Sequence, residues 1–193
     1  KETSVGGLME FPSVVDSDVV FVANYHASVR AYSMRNGKPV WRRDLGGIMA
    51  SSPAIVGDDL VVHAMNGHVY VLDRHNGRIR WTFLTGAPIE SSPLVLDGVD
   101  YFGDWSGTIW ALDLRTHRAR WTYHSGAKIT SSASYAGGTV FIGDYGGRLL
   151  ALGHDSAAPG ATDPLVGLKT GHWVQLEGAL QGDSTASCDE LRI

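Results

Sequence analysis

The sequence predicts an all-β repeat protein built from four-stranded antiparallel units, and three observations carry that reading. Tryptophan returns at residues 41, 81 and 121, at a fixed spacing of forty. Ser51-Ser52-Pro53 falls on Ser91-Ser92-Pro93 and on Ser131-Ser132-Ala133 in the same register, with Phe11-Pro12-Ser13 as a looser first copy. Short runs of β-branched and aromatic residues are separated throughout by Gly, Asn and Asp turn signals. From Gly6 to about Gly153 the rows of forty align without an insertion, and Gly46, Gly86 and Gly126 hold one column.

Within a row the elements follow in order. In the second row "SPAIVG" reads as a first strand, turned by Gly57-Asp58-Asp59. "LVVHAM" is a second strand, closed by the hairpin signal Asn66-Gly67. "HVYVLD" is a third, and Asp73 to Gly77 is its turn, where an Asp side chain bonds backbone amides and Gly takes positive φ. "IRWTFLT" is the fourth. Because successive strand residues point to opposite faces, Ile79, Trp81 and Phe83 share an apolar face while Arg78, Arg80 and Thr82 face water. Arg118 and Arg120 repeat that charged face one row on. The tryptophan therefore reads as a buried wedge at one seam per repeat, and charge on the outermost strand discourages edge-to-edge pairing. A forty-residue unit of four strands is a propeller blade.

The residues "ALDLRTHRARW" (111–121), "VLDRHNGRIRW" (71–81) and "AYSMRNGKPVW" (31–41) resemble the PQQ-like repeat, the blade of the quinoprotein-type β-propellers. His117 stands where that pattern has glycine. The resemblance covers roughly residues 6–153 and implies an all-β β-propeller of four-stranded antiparallel blades, about four in this chain, over residues 1–153. They form a small closed ring, an incomplete ring, or a fragment of a larger protein. Lys1–Val5 reads as the remnant of a preceding fourth strand, and residues 154–165 as a linker or long loop. Residues 166–193, with Thr170-Gly171 and Trp173, read either as the outer strand of the last blade plus a closing segment or as the start of another β domain.

Composition excludes several functions. The chain has 193 residues, a formal net charge of −4 and no apolar run long enough to span a membrane, so neither nucleic acid nor a bilayer core is an expected partner. "KETSVGG" shows no secretory signal, so any such signal precedes this sequence. Cys188 is the sole cysteine and allows no intrachain disulfide. The eight histidines, His63 among them on a second strand, lack paired ligand spacing, so no metal site is expected.

In the architecture the resemblance implies, strand one of each blade lines the central channel. The loop entering it and the hairpin between strands two and three open on one face. The hairpins present Tyr25, Met65, Trp105 and Tyr145 at one step of four repeats, and the incoming loops present Glu10, Ala50, Glu90 and Thr130. Aromatic side chains ringing two acids are what an interface or ligand pocket uses, so these residues, with Glu10 and Glu90 nearer the axis, are the candidate binding face. The resemblance also implies what is missing. PQQ-dependent dehydrogenases of this blade type hold their quinone with a vicinal cysteine pair, a stacking tryptophan and carboxylate-bound calcium. One cysteine cannot make that pair, and Asp104 and Asp144 sit in D-x-x-G turns where turn bonding is their expected role. The expectation is a noncatalytic scaffold with no catalytic residue and no cofactor, binding a protein partner or a small ligand, and the resemblance alone implies a location in the periplasm or outside the cell. The rivals are a fragment of a PQQ-dependent dehydrogenase and a carbohydrate-binding module.

Overall fold

The computed structural model describes Ser4 and residues 7–153, which form fifteen strands and no helix. The readings made on Lys1–Val5 (Ser4 apart), Gly6, residues 154–165 and residues 166–193, including Trp173 and Cys188, lie outside the described residues. Blade one is β1 (Val14–Asp16), β2 (Val19–Asn24), β3 (Ser28–Ser33) and β4 (Pro39–Asp44). Blade two is β5 (Ala54–Val56), β6 (Asp59–His63), β7 (His68–Asp73) and β8 (Ile79–Leu84). Blade three is β9 (Leu94–Leu96), β10 (Val99–Gly103), β11 (Thr108–Asp113) and β12 (Arg118–His124). Blade four contributes β13 (Ser134–Ala136), β14 (Thr139–Gly143) and β15 (Leu149–Gly153) among the described residues. Each sheet is an antiparallel meander in chain order, so the chain is a β-propeller of about four blades whose ring is not closed.

The core lies between blades rather than within one. Phe21, Val29 and Ala31 of blade one meet Leu60, Val62 and Leu72 of blade two. Val61, Val69 and Val71 of blade two meet Ile89, Phe102 and Leu112 of blade three. Each Val, Leu, Ile or Phe among them contributes about 1.5–3 kcal/mol when fully buried, and a single sheet could bury only one of its faces. Inner strands of successive blades touch, β1 with β5 and β5 with β9.

The repeated Ser-Ser pair is explained by two separate bonds. The first serine ties its loop to strand two of the same blade: Ser91 Oγ donates to the Gly103 carbonyl at 2.8 Å and accepts from the Gly103 amide at 3.1 Å. Ser131 does the same with Gly143. The second serine ties blade to blade: the Ser52 amide donates to Ser92 Oγ at 3.0 Å, and the Ser92 amide to Ser132 Oγ at 2.9 Å. Pro12 occupies the corresponding step of blade one and has no amide hydrogen to donate to Ser52 Oγ.

Trp41, Trp81 and Trp121 are each partly buried at equivalent positions and pack against the core clusters. Their strands are outermost, so one ring edge stays at the rim while the rest crosses the seam. Trp41 Nε1 donates to the Arg74 carbonyl of the next blade at 2.8 Å. Its six-membered ring lies where a Cβ on Gly77 would sit, 2.5 Å from Cε3. Trp81 stacks on His117 with ring centroids 4.3 Å apart. Gly77 (φ 68°) and His117 (φ 59°) share the same left-handed turn position, so a histidine replaces glycine there by trading backbone ease for ring stacking. Gly46, Gly86 and Gly126 also take positive φ, with no backbone neighbour near a would-be Cβ; their column supplies conformation, not space.

Candidate functional site

The candidate face is built from two loops per blade. The hairpin joining strands two and three begins with Asn24, Ala64, Asp104 or Asp144. Asp104 Oδ1 accepts the amides of Ser106 at 2.9 Å and Thr108 at 3.2 Å, and Oδ2 accepts Trp110 Nε1 at 2.8 Å. Asn24 Oδ1 likewise accepts the amides of His26 and Ser28, and Asp144 Oδ1 those of Gly146 and Arg148. These side chains shape the turn whose next residue is Tyr25, Trp105 or Tyr145. In blade two Ala64 cannot do this, and Asn66 Oδ1 accepts the His68 amide instead.

A second bond fixes that next residue to the incoming loop. The amides of Tyr25, Met65, Trp105 and Tyr145 donate to the carbonyls of Leu8, Ile48, Pro88 and Lys128 at 3.2, 2.8, 2.9 and 2.8 Å. The four predicted hairpin residues thus occupy one step of four blades, each clamped to the loop that leads to its inner strand. Trp105 is 37% exposed and Tyr145 69%, while Tyr25 and Met65 are half-buried. Leu8 and Ile48, 58% and 43% exposed, continue the apolar surface beside them.

The acids couple directly to the aromatics. Tyr25 Oη donates to Glu10 Oε2 at 2.7 Å, and Trp105 Nε1 donates to Glu90 Oε2 at 3.0 Å. The hydrogen bond to Glu10 raises the Tyr25 phenol above its ordinary pKa, helped by burial and by the charges of Glu10 and Glu90. Blades one and three therefore carry an acid–aromatic pair, whereas blades two and four have Ala50 with Met65 and Thr130 with Tyr145.

Lys128 was not legible as part of this site. Its ammonium lies 3.3 Å from the Trp105 ring centroid and 5.1 Å from that of Tyr145. It bridges two successive blades by cation–π attraction, worth about 0.5–1 kcal/mol where exposed. Its column otherwise holds Leu8, Ile48 and Pro88, so only its departure from an apolar column could have drawn notice. Phe11, whose ring stacks near Tyr25 at 6.4 Å, was also missed as a contributor. Among the described residues no three His, Cys, Asp or Glu side chains gather as metal ligands.

Comparison with known proteins adds the lineage. A family model of the PQQ-like repeat, described as outer membrane protein assembly factor BamB, matches residues 2–175. BamB from Moraxella catarrhalis superposes with a TM-score of 0.69 at 22% identity, covering 78% of this chain and 48% of that one. Quinohemoprotein alcohol dehydrogenase from Comamonas testosteroni gives 0.68 at 17% identity, over 76% of this chain and 33% of that one. The computationally designed Ika4 protein gives 0.69 at 12% identity, over 78% of this chain and 93% of that one. At such identities the likeness concerns the fold, and this chain spans about half the length of the BamB structure. No curated protein matches the chain.

Proposed function

Because the chain belongs to the PQQ-like repeat family whose model is described as outer membrane protein assembly factor BamB, we propose that it is a noncatalytic propeller scaffold that binds a protein partner. The partner docks on the face carrying Tyr25, Met65, Trp105 and Tyr145, with Glu10 and Glu90 on its inner side. The observation that carries this reading is the clamp: four hairpin side chains are each held by a backbone bond to the neighbouring loop. A rigid scaffold thus presents exposed Trp105, Tyr145, Leu8 and Ile48 together. Large exposed aromatics on a fixed frame are typical binding anchors, and contiguous exposed apolar surface marks interaction sites. The family description also supports an extracytoplasmic location, with a component of outer-membrane protein assembly as the class of partner.

Site-specific photo-cross-linking in producing cells tests this. A photoreactive residue at Tyr145 should give one discrete protein adduct that is lost in Trp105→Ala. The same residue at Arg118, on the outer strand β12, should give none. Equal labelling from both positions, or an adduct indifferent to Trp105, would refute the face.

The likeness to quinohemoprotein alcohol dehydrogenase favours a second reading, a fragment of a quinone-dependent dehydrogenase. The residues present do not fit that cofactor. Cys188 has no partner for a vicinal pair, and Asp104 and Asp144 are spent on turn bonds. Titration with the quinone and calcium distinguishes the readings: the scaffold shows no saturable quenching of tryptophan fluorescence.

A further inference from the structure

The seam between blades two and three is unlike its neighbours at two facing positions. Residue 63 is His where the repeat has Ala23, Gly103 and Gly143, and residue 100 is Asp where it has Val20, Leu60 and Val140. Both side chains are fully buried. His63 Nε2 lies 2.8 Å from Asp100 Oδ2, and Nδ1 lies 2.7 Å from the Ser91 carbonyl oxygen. A carbonyl only accepts, so Nδ1 carries a hydrogen. Nε2 and Oδ2 must then share a proton, because two facing lone pairs at that distance in a dry seam would repel. The ring is thus hydrogen-bonded on one side to Ser91 and on the other to Asp100. The pair is neutral overall, and Phe102 covers the ring at 4.5 Å. Asp100 Oδ1 is buried with no hydrogen-bond partner, so the carboxylate depends on His63 for its pairing.

We propose that His63 and Asp100 form an ordering key that makes blade two dock on blade three and on no other blade. Near-identical repeats offer near-identical apolar faces, and misassembly or swapping of repeats is their characteristic failure. If blade two met blade four, His63 would face Val140. If blade one met blade three, Asp100 would face Ala23. Either error buries an uncompensated polar or charged group. Breaking a buried pair is far more costly than the net stability the intact pair supplies, so its effect is discrimination rather than strength.

The test uses three variants of the full chain: His63→Gly, Asp100→Leu, and both together, each importing the residue that another blade already uses. Each single change should raise the unfolding equilibrium constant at least a hundredfold in urea titrations. The double variant should return to within about tenfold of the unchanged protein. Refolding across a range of concentrations, read by size exclusion, should then give several-fold more swapped oligomer from the double variant. Single effects that simply add would overturn the pairing, and a double variant that refolds as cleanly as the unchanged protein would overturn the ordering role. Should the single variants fail to fold, ¹H spectra of the unchanged protein decide: a far-downfield, exchange-protected proton held between His63 Nε2 and Asp100 should be present, and its absence refutes the key.

Discussion

Replacing Gly77 by alanine probes the blade seam from its tightest point. Two costs add. Gly77 sits at φ 68°, where a Cβ costs about 1–2 kcal/mol. Part of that is recovered because alanine restricts the unfolded chain, by about 0.4–1 kcal/mol. The new Cβ would also lie 2.5 Å from Trp41 Cε3 and 2.9 Å from Cδ2 and Cζ3. The indole cannot retreat freely, since its Nε1 is bonded to the Arg74 carbonyl and its face packs near Phe21. Overpacking of this kind costs about 1–3 kcal/mol. Gly57 provides the control, with φ 57° and nothing within 4 Å of its would-be Cβ. Urea unfolding should therefore place Gly57→Ala about 1 kcal/mol below the unchanged protein and Gly77→Ala about 2–4 kcal/mol below, with similar m-values. In a Trp41→Ala background the two glycine substitutions should cost the same. If Gly77→Ala and Gly57→Ala differ by less than about 0.5 kcal/mol in the unchanged background, Trp41 does not press on the next blade and the wedge reading is wrong.

Ala27 occupies the hairpin step that Gly67, Gly107 and Gly147 fill elsewhere, at φ 56°, so Ala27→Gly should stabilise by about 0.5–1 kcal/mol in the same titrations. Burial pushes the Asp113 carboxyl up, but the amides of Thr116 and Arg115 and the Arg120 guanidinium outweigh it and hold it at about 2, against an ordinary 3.8. Its contribution, on the order of 2 kcal/mol, is fully present above pH 4 and lost as pH falls toward 2. Acid denaturation of Asp113→Asn should consequently show a shallower loss over that window than the unchanged protein. Trp105→Ala should weaken binding of the cross-linked partner by about 2 kcal/mol, measured by titration, while the melting transition shifts by less than the equivalent of 1 kcal/mol.

Turn chemistry and strand order were legible because they are local: Asn66-Gly67, the D-x-x-G hairpins and the alternation in "RIRWTFL" each lie within a few residues. The face was partly legible because a shared repeat step places Tyr25, Met65, Trp105 and Tyr145 alike. What joins blades was not. Lys128 reaches Trp105 across 23 residues, and His63 meets Asp100 across 37, so neither pairing follows from any single row. The tryptophan reads as a buried wedge from alternation, which reports the face a residue takes but not how much of the ring stays at the rim. The Ser-Ser motif was visible as a pattern, but its division into one bond within the blade and one between blades needed the folded geometry.

The serine bonds from Ser52 to Ser92 and from Ser92 to Ser132 link blade two to three and blade three to four, and the apolar clusters join blade one to two and two to three, each only to the next. Cooperativity then spreads by nearest-neighbour coupling, as along a one-dimensional lattice, instead of through one shared centre. Among the described blades, two and three pack against a described neighbour on both sides, so amides in β6 and β10 should open later than those in β2 in native-state hydrogen exchange. A substitution in one blade is then felt less with each seam that separates it from the amide being watched.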